Sequence, residues 1–378
     1  MDVVELTKKL ISIPSYVDGK VNEKKLADFI YEYIKRFPFL TEIKKQKVEG
    51  SRYNIIASDG AKPKLLLAGH MDTVEPRGWR NDPFKPWLKG SRLYGLGSMD
   101  MKGGIAAILA ALTGVKQTNG LSLLFYCDEE YDFKGMAKFV KERKAGPKIA
   151  VVTEPTNLKI WNGARGIIKI SIEVLGQTAP ASRPDKGRNA ITGLVAAVEE
   201  LANRLAGYKN KNLGASTCNL ASISGGLAVE KRGYGFEIDS KGDAVPNIAR
   251  AGLDIRGGSC VLTVEVIKKI LADNLKKNGF RLNNFKVLHN LGTFYSATGE
   301  LRTVELAIKG IVGKAEYLNL QQMGYQDIQM LNKKFKTTAF SFGPVGGNRH
   351  QPDEWVDIRS LVKTREVCQK LIEEFCSI

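Results

Sequence analysis

The sequence predicts an α/β protein with a mostly parallel sheet in one domain and a ferredoxin-like α+β domain inserted into it. Two patterns predict this division. Short, wholly apolar runs recur in the first half and near the C-terminus, as is typical of parallel strands buried on both faces. A central stretch instead alternates apolar and polar residues, as is typical of an antiparallel sheet with one solvent-facing side. The length of 378 residues also exceeds one typical domain.

The parallel sheet is predicted from four apolar runs, which are KPKLLLAGH, LSLLFYCDEE, KIAVVTEPT and TTAFSFGP. Between the first two, DMKGGIAAILAALTGV predicts a helix that begins near Asp100. The N-terminal stretch MDVVELTKKLISIPS has apolar residues at helical spacing and early acidic residues. It therefore predicts a first helix of the fold rather than a signal peptide.

The inserted domain is predicted over 165–288, so the first domain is discontinuous, comprising 1–164 and 289–378. Within the insertion, GIIKISIEVLG predicts a half-exposed strand and NAITGLVAAVEELANRL an amphipathic helix. Two strands, STCNLASISGG and NIARAGLDIR, precede the helix VLTVEVIKKILADNLKKN and the last strand FRLNNFKVLHNL. This β-α-β-β-α-β order is that of a ferredoxin-like unit.

Composition excludes several classes of protein. The formal net charge is +17, but the lysines are spread over the whole chain and do not alternate with aromatic residues, so we expect no nucleic-acid partner. No apolar window is long enough for a membrane span, so we expect no membrane partner. The five cysteines are scattered without a CxxC spacing, which indicates a reducing, cytoplasmic compartment.

Five side chains of the metal-ligand type lie far apart in the chain, and four of them follow predicted parallel strands. They are His70, Asp100, Glu130, Glu154 and His350. Because parallel strands place their carboxyl ends at one edge of a sheet, we expect these side chains to converge. Each motif alone has a plain structural explanation, such as a helix cap or a turn, but together they predict a site for two zinc ions, with Co²⁺ or Mn²⁺ as substitutes.

Two more carboxylates have expected tasks beside the metals. Asp72, two residues after His70, is expected to accept the second imidazole N–H and orient the ring. Glu129 precedes Glu130, and adjacent side chains diverge, so Glu129 is expected to move a proton of the attacking water. A Gly95-Leu96-Gly97 sequence lacks the third glycine of a dinucleotide fingerprint, so no such site is predicted.

The motifs resemble those of the dizinc hydrolases that include acetylornithine deacetylase, succinyl-diaminopimelate desuccinylase, aminoacylase and a zinc carboxypeptidase. The matching stretches are GHMDTVEP (69–76), YGLGSMDMKGG (94–104), DEE (128–130), TEPT (153–156) and GNRHQPDEWV (347–356). The inserted domain adds SRPDKGRNAI (182–191), GDAVPN (242–247) and LDIR (253–256). The resemblance thus covers nearly the whole chain.

The resemblance implies a role for each residue. His70 and Glu154 would bind one zinc, Glu130 and His350 the other, and Asp100 would bridge them. Asp72 would orient His70, and Glu129 would be the general acid/base. In the inserted domain, Arg256 would hold a substrate carboxylate, a task to which a guanidinium fork is suited, although a surface arginine is an equal explanation. Asn189 and Asp243, in two matching stretches, are assigned with Arg256 to substrate binding.

One departure from the family pattern concerns the oxyanion. The family usually carries a histidine in a G-x-x-A-H-A-S-x-P stretch, where this chain has Pro180, and an asparagine where it has Asp243. Proline has no side-chain donor and no backbone N–H. Turnover could be slow or shifted in substrate, another donor such as His289 could compensate, or the position could have been changed by design.

The resemblance therefore implies a dizinc amidohydrolase that cleaves N-acyl amino acids, as a deacetylase or desuccinylase, through a water between the metals and with Glu129 as acid/base. The alternatives are a carboxypeptidase or dipeptidase acting on short peptides, or a catalytically impaired metal-binding relative. The inserted domain would be a lid and dimerisation domain, so a homodimer is expected.

Overall fold

The computed structural model describes residues 1–231, 235–239 and 242–378. The chain forms two compact units. Unit 1 comprises Met1–Gly163, Tyr295–Asn319 and Gln326–Ile378, and unit 2 comprises Ala164–Phe294 and Leu320–Tyr325. The stretch predicted as an insertion, 165–288, lies within the longer segment of unit 2. The short segment Leu320–Tyr325 belongs to unit 2 as well, although the prediction had placed it in the other domain.

The helices of the described residues begin with the N-terminal helix that the sequence predicts. They are α1 (Val3–Ile11), α2 (Lys24–Ile34), α3 (Lys102–Ala111), α4 (Lys134–Glu142), α5 (Ala190–Leu205), α6 (Val264–Lys277), α7 (Arg302–Val312), α8 (Gln329–Phe335) and α9 (Ile358–Cys376). Across the described part of the chain, none of them is both long and apolar enough to cross a membrane.

The strands range from two-residue pairs to long ribbons. Those described are β1 (Glu42–Glu49), β2 (Arg52–Ser58), β3 (Leu65–His70), β4 (Trp87–Lys89), β5 (Arg92–Tyr94), β6 (Leu121–Tyr126), β7 (Ile149–Val152), β8 (Gly163–Ala164), β9 (Gly166–Leu175), β10 (Lys209–Asn210), β11 (Gly214–Ala215), β12 (Thr217–Lys231), β13 (Gly235–Asp239), β14 (Ile248–Gly257), β15 (Arg281–Leu291), β16 (Phe294–Tyr295), β17 (Thr338–Ser341), β18 (Gly346–Gly347) and β19 (Trp355–Asp357).

The main sheet of unit 1 has the strand order β1-β2-β6-β3-β7-β17. The strands β6, β3, β7 and β17 run parallel, whereas β1 and β2 join as an antiparallel hairpin at one edge. The parallel strands are the four apolar runs of the sequence, and β3, β6 and β7 are buried at every residue. The predicted mostly parallel α/β fold is confirmed, and the carboxyl ends of these four strands lie at one edge of the sheet.

Helix α3 packs against this sheet along a surface of small residues. All of its residues are buried, and two glycines near its start allow a close approach. A Cβ atom on Gly104 would lie 2.2 Å from the backbone oxygen of Thr153, and one on Gly103 would lie 2.5 Å from that of Ser98. Glycine is therefore required at position 104 for the start of α3 to lie beside the end of β7, and at position 103 for it to lie beside the preceding loop.

Unit 2 contains an antiparallel sheet with the strand order β13-β12-β14-β9-β15. Helices α5 and α6 bury their apolar faces on it, and Ile168, Ile170, Ile172 and Val174 of β9 supply one row of that core. The predicted ferredoxin-like order of elements is confirmed. The edge strand β13 extends the sheet beyond the four predicted strands.

Candidate metal centre

The edge formed by the parallel strands of unit 1 collects the predicted ligands. His70 is the last residue of β3, Glu130 follows β6, Glu154 follows β7, and His350 lies in the loop after β17. Asp100 lies two residues before α3, the helix whose Gly104 lies against the backbone of Thr153 at the end of β7. The structure thus brings together, within unit 1, five side chains separated by up to 280 positions, from His70 to His350.

These five side chains form two groups that share Asp100. The first group is His70, Asp100 and Glu154, and the second is Asp100, Glu130 and His350. In each group one ligand atom from every residue lies within 4.8 Å of the others. Asp100 divides its two oxygens between the groups, since Oδ1 lies 3.2 Å from His70 Nε2 and Oδ2 lies 3.2 Å from His350 Nε2.

Asp72 supports one ligand from each group. Its Oδ1 lies 3.6 Å from His70 Nδ1, and its backbone oxygen lies 3.1 Å from the same nitrogen. Its Oδ2 accepts a hydrogen bond from the backbone N–H of Glu130 at 2.8 Å. Asp72 and His70 are both fully buried, so this arrangement fixes the imidazole and the strand end that carries Glu130.

Glu129 lies at the same centre. Its carboxylate forms a third compact group with His70 and Glu130. Burial raises the pKa of Glu129 well above its usual value, and the carboxylates of Glu154 and Asp327 act in the same direction, while His70 opposes them. A carboxylate whose pKa is raised is a stronger base than an exposed glutamate, which suits it to take a proton from a water.

The carboxylates of the centre repel one another, and the neighbouring histidines and Arg349 partly offset this repulsion. Burial, followed by repulsion from Asp100, raises the pKa of Glu154 to about 7. Burial would also raise the pKa of Asp100, but Arg349 and the two histidines hold it well below its usual value. Hydrogen bonds to Asp100 and Glu130 raise the pKa of His350 to about 10. The centre is a concentration of negative charge that favours cations.

The loop before α3 is fixed by Glu354, a residue that the sequence did not single out as functional. This carboxylate is buried and accepts hydrogen bonds from the backbone N–H groups of Gly97, Met99 and Asp100 at 3.0, 2.7 and 3.0 Å. Hydrogen bonds to a charged acceptor are worth about 1.5–3 kcal/mol each. Glu354 therefore holds the backbone of Asp100 in place from the segment that also carries His350.

The turn that carries Glu129 and Glu130 is supported from the opposite side. Arg52 Nη2 lies 2.6 Å from Asp128 Oδ1 and 2.6 Å from Glu23 Oε1, and all three side chains are buried. Asp128 has a φ of 74°, a backbone conformation that a non-glycine residue adopts only when its surroundings fix it. The buried ion pairs supply that constraint.

Asp327 is a second buried acid that sequence reasoning missed. Tyr126, the last residue of β6, donates a hydrogen bond to its Oδ1 at 3.1 Å. Burial raises the pKa of Asp327 to about 7, against a lowering influence from His70. The stretch GYQDIQML around it has no recognised metal or catalytic pattern, so only the folded structure shows that this carboxylate interacts with His70 and Asp72.

Arg349, next to His350, is the third residue that was missed. Its Nε contacts Asp100 Oδ2, and its Nη2 lies 3.7 Å from Glu154 Oε2. Attraction to Asp100, and then to the other carboxylates of the centre, raises its pKa above an already high value. In the sequence it is one of 57 lysines and arginines, so nothing distinguished it as a residue of the centre.

The side chains fit a pair of divalent cations. The donor set of imidazoles and carboxylates is the one that zinc and similar ions bind, and Asp100 offers one oxygen to each group. Glu154 Oε2 and Asp72 Oδ1 are buried and have no hydrogen-bond partner among the described residues. A buried carboxylate oxygen without a partner is costly unless a cation or a proton satisfies it.

In unit 2, Arg256 is the second-last residue of strand β14 and is only partly exposed. Its guanidinium forms a two-point ion pair with Asp254, with Nε to Oδ1 and Nη2 to Oδ2 both at 3.0 Å. It also lies over the ring of Tyr325, 5.1 Å from the centroid. Burial, and then repulsion from Arg256, lowers the pKa of nearby Arg165. Arg256 Nη1 and Arg165 Nε are buried without a hydrogen-bond partner among the described residues, so this corner of unit 2 has N–H groups available for an anion.

Asn189, which the sequence assigned to substrate binding, has a visible structural role. Asn189 caps helix α5, where its side-chain oxygen accepts hydrogen bonds from the backbone N–H groups of Ile191 and Thr192. Pro180 and Asp243 are exposed and lie on adjacent segments, since the N–H of Ala181 donates to the backbone oxygen of Asp243 at 3.2 Å. The two departures from the family pattern are therefore neighbours. A substrate role for Asn189 and Asp243 stays a prediction.

The sequence of the chain matches a known protein family and a curated relative. Residues 66–374 match Peptidase family M20/M25/M40. The chain is 28% identical over 391 residues to an acetylornithine deacetylase of Buchnera aphidicola subsp. Acyrthosiphon pisum (strain Tuc7), and the match covers 99% of this chain and 98% of that protein.

Two solved structures share the fold. One is the M20 family metallo-carboxypeptidase Sso-CP2 from Sulfolobus solfataricus, with a TM-score of 0.74 and 18% identity, covering 99% of both chains. The other is the YXEP protein of Bacillus subtilis, described as a dinuclear metal binding peptidase of the M20 family, with a TM-score of 0.67 and 14% identity, covering 99% of this chain and 97% of that one.

Proposed function

The chain belongs to Peptidase family M20/M25/M40 and is a metal-dependent amidohydrolase, and from this premise we propose that it hydrolyses the amide bond of N-acyl amino acids with two bound zinc ions. The observation that carries the proposal is the pair of ligand groups sharing Asp100, with Glu129 beside them. The full-length similarity to an acetylornithine deacetylase supports the substrate class.

Five residues would hold the metals. His70 and Glu154 would bind one ion, Glu130 and His350 the other, and Asp100 both. When bound, the ions supply Lewis acidity, which makes a water more acidic and polarises the amide carbonyl. Asp72 keeps the ring of His70 oriented, and its hydrogen bond to the N–H of Glu130 holds a ligand of the other group.

Glu129 would move the proton during hydrolysis. The water oxygen forms a bond to the carbonyl carbon while Glu129 takes one proton from it. Glu129 then gives that proton to the amide nitrogen as the C–N bond breaks, which yields a carboxylic acid and a free amine. The partly buried position of Glu129 and its raised pKa suit proton transfer of this kind.

Substrate selection is assigned to unit 2. Arg256 would bind the α-carboxylate of the amino acid through its guanidinium fork, with Asn189 and Asp243 as further contacts. Deacetylation or desuccinylation is favoured. A carboxypeptidase or dipeptidase is the second candidate, because short peptides carry the same free carboxylate and a metallo-carboxypeptidase shares the fold. The lack of a donor at Pro180 keeps a catalytically impaired relative as a third.

Three further properties are part of the proposal. Co²⁺ or Mn²⁺ could replace zinc on these ligands. The protein would form a homodimer through unit 2, whose strand β15 is a long edge of its sheet. We place it in the cytoplasm, because all five cysteines are free and three of them are buried.

A panel hydrolysis experiment tests the proposal. N-acetyl and N-succinyl amino acids and dipeptides are incubated with protein stripped by a chelator and then supplied with Zn²⁺, Mn²⁺ or Co²⁺. We expect metal-dependent release of amine from the acyl amino acids. Cleavage of dipeptides alone would favour the second candidate, and metal binding without turnover on any amide would favour the impaired relative.

A further inference from the structure

The exposure of the side chains shows which side of the centre is open. His70 is completely buried, and the side chains of Asp100 and Glu154 are 1% and 7% exposed. His350 and Arg349 are 42% and 40% exposed. A cavity of about 300 Å³, lined by Val74, Glu75, Arg77, Tyr131 and His350, opens beside them. A substrate therefore approaches the carboxylates from the side on which Arg349 lies.

Arg349 is held at this opening by a constrained loop. Its neighbours Asn348 and His350 have φ values of 58° and 59°, in the left-handed region. Asn348 donates hydrogen bonds to the backbone oxygens of Pro352 and Asp353 at 3.3 and 3.1 Å. The loop is closed by the pairing of β18 with β19. The base of the Arg349 side chain is thus fixed, while its guanidinium can turn about the rotatable bonds of the side chain.

The contacts of the guanidinium place it at the reacting centre. Its Nε contacts Asp100 Oδ2, the oxygen that also faces His350. Under the proposed function, Asp100 and Glu154 would hold metal ions. The positive charge of these ions would weaken the attraction of the two carboxylates for Arg349. The guanidinium, which stays protonated and has five N–H donors, then has its N–H groups available to another anionic oxygen close by.

We propose that Arg349 is a catalytic residue that donates a hydrogen bond to the oxyanion formed from the substrate's amide carbonyl. Attack by water breaks the C=O π bond and leaves the electron pair on that oxygen, and the negative charge disappears again when the C–N bond breaks. A donor aimed at this oxygen lowers the barrier only while the charge exists, so it acts on turnover more than on substrate binding. The inference rests on the proposed amide hydrolysis.

The test compares Arg349→Met with Arg349→Lys. The control is Arg359→Met, which removes an exposed arginine of α9 that has no part in the centre or its cavity. The amide is N-acetylornithine or the acyl amino acid cleaved best. For Arg349→Met we expect kcat to fall roughly 10²-fold with little change in KM, as when an oxyanion donor is removed, and Arg349→Lys should recover most of the loss. Arg359→Met should retain wild-type kcat.

A second readout does not depend on turnover. The probe is a methylphosphonamidate, in which a tetrahedral phosphorus replaces the acetyl carbonyl carbon of the substrate. Its affinity, measured by calorimetry, should fall about as much as kcat in Arg349→Met, while the affinity for the amino-acid product stays constant. Metal content, measured by elemental analysis, should stay at the wild-type level.

Three results would overturn the inference: an unchanged kcat in Arg349→Met, unchanged affinity for the phosphonamidate, or a loss of activity fully explained by altered metal content. The last result would make Arg349 a charge partner of the ligands. These outcomes leave the proposed function standing. If the wild-type protein supplied with metal cleaves none of the amides, the proposed function itself fails.

Discussion

The centre in unit 1 and the Pro180–Asp243 region in unit 2 are held in place in different ways. In unit 1 most of the functional side chains are buried, and several have a partner of their own, such as Asp72 for His70 and Glu354 for the loop of Asp100. In unit 2, Pro180 and Asp243 are exposed, and backbone hydrogen bonds join their segments.

This difference indicates which positions tolerate substitution at little cost in stability. Replacing a buried charged residue of unit 1 leaves its partner unsatisfied, at a cost of about 1–3 kcal/mol or more. A surface side chain on a backbone-held segment can change without such a cost, typically within ±0.5 kcal/mol. The departures from the family pattern occur at exposed positions of this kind. Four substitutions test this contrast.

Glu129→Gln should have the largest effect. Glutamine cannot accept and return a proton, so kcat should fall about 10²–10⁴-fold, the usual contribution of a general acid/base. Bound metal, measured by elemental analysis, should remain, because five other side chains would hold the ions. The control is Glu32→Gln, at an exposed side chain of α2, which should leave kcat unchanged. Loss of metal together with activity would make Glu129 a ligand instead.

Asp327→Asn tests the electrostatic strain of unit 1 through pH. The folded-state pKa of Asp327, raised to about 7, exceeds the unfolded value, so its stabilising contribution is present below pH 4 and is lost as pH rises through 7. Asparagine keeps the partner of Tyr126 but does not titrate. Between pH 5 and 8 the wild type should lose on the order of 2–4 kcal/mol relative to the variant.

The measurement is denaturant unfolding of chelated protein at several pH values. Asp273→Asn, on the exposed face of α6, is the control and should show no comparable trend. Parallel pH profiles for the wild type and Asp327→Asn would contradict the prediction.

Arg256→Met tests the contribution of unit 2 to substrate binding. The loss of charge-assisted hydrogen bonds worth about 1.5–3 kcal/mol should lower kcat/KM roughly 10–100-fold, mainly through KM. The effect should vanish for substrates whose α-carboxylate is amidated. Arg250→Met, on the same strand and paired with Glu173, is the matched control. Equal losses for free and amidated substrates would assign Arg256 a structural role.

Pro180→His should have the smallest effect, and in the opposite direction. A histidine would restore a side-chain donor at an exposed position, and we expect kcat to rise by up to about 10-fold, less than the 10²–10³ that an optimally placed donor supplies. Pro184→His, on the same exposed segment, is the control. If no cleaved N-acyl amino acid shows a rate gain, a missing donor is not what limits turnover.

The sequence alone predicted the strands that are buried at every residue. Wholly apolar runs such as β3 and β6 can only be interior strands, and strand ends then predict the positions of His70 and Glu130. The hairpin strand β1, EIKKQKVE, was missed because it is charged and largely exposed, so its pairing depends on β2 and not on its own pattern. The membership of Leu320–Tyr325 in unit 2 depends on contacts across the fold.

The candidate site likewise contains residues that the sequence predicted and residues that only the folded structure shows. The ligands could be identified from the sequence because histidines and carboxylates follow several predicted strands, and the chain has only three histidines. Arg349 and Asp327 have common residue types, and their importance comes from burial and from the atoms they contact. Local sequence contains neither quantity, so these residues became visible only in the folded structure.

The late position of β17 in the chain has a consequence for folding during synthesis. β17 pairs with β7, but the whole of Ala164–Phe294 lies between them in the sequence. While the ribosome makes that segment, β7 can pair with β3, but its other edge has no strand to pair with. The loop that carries His350 does not yet exist. Unit 2 can therefore form its core first, since domains generally fold as units and in order of synthesis. The metal centre is then among the last parts of the molecule to be completed.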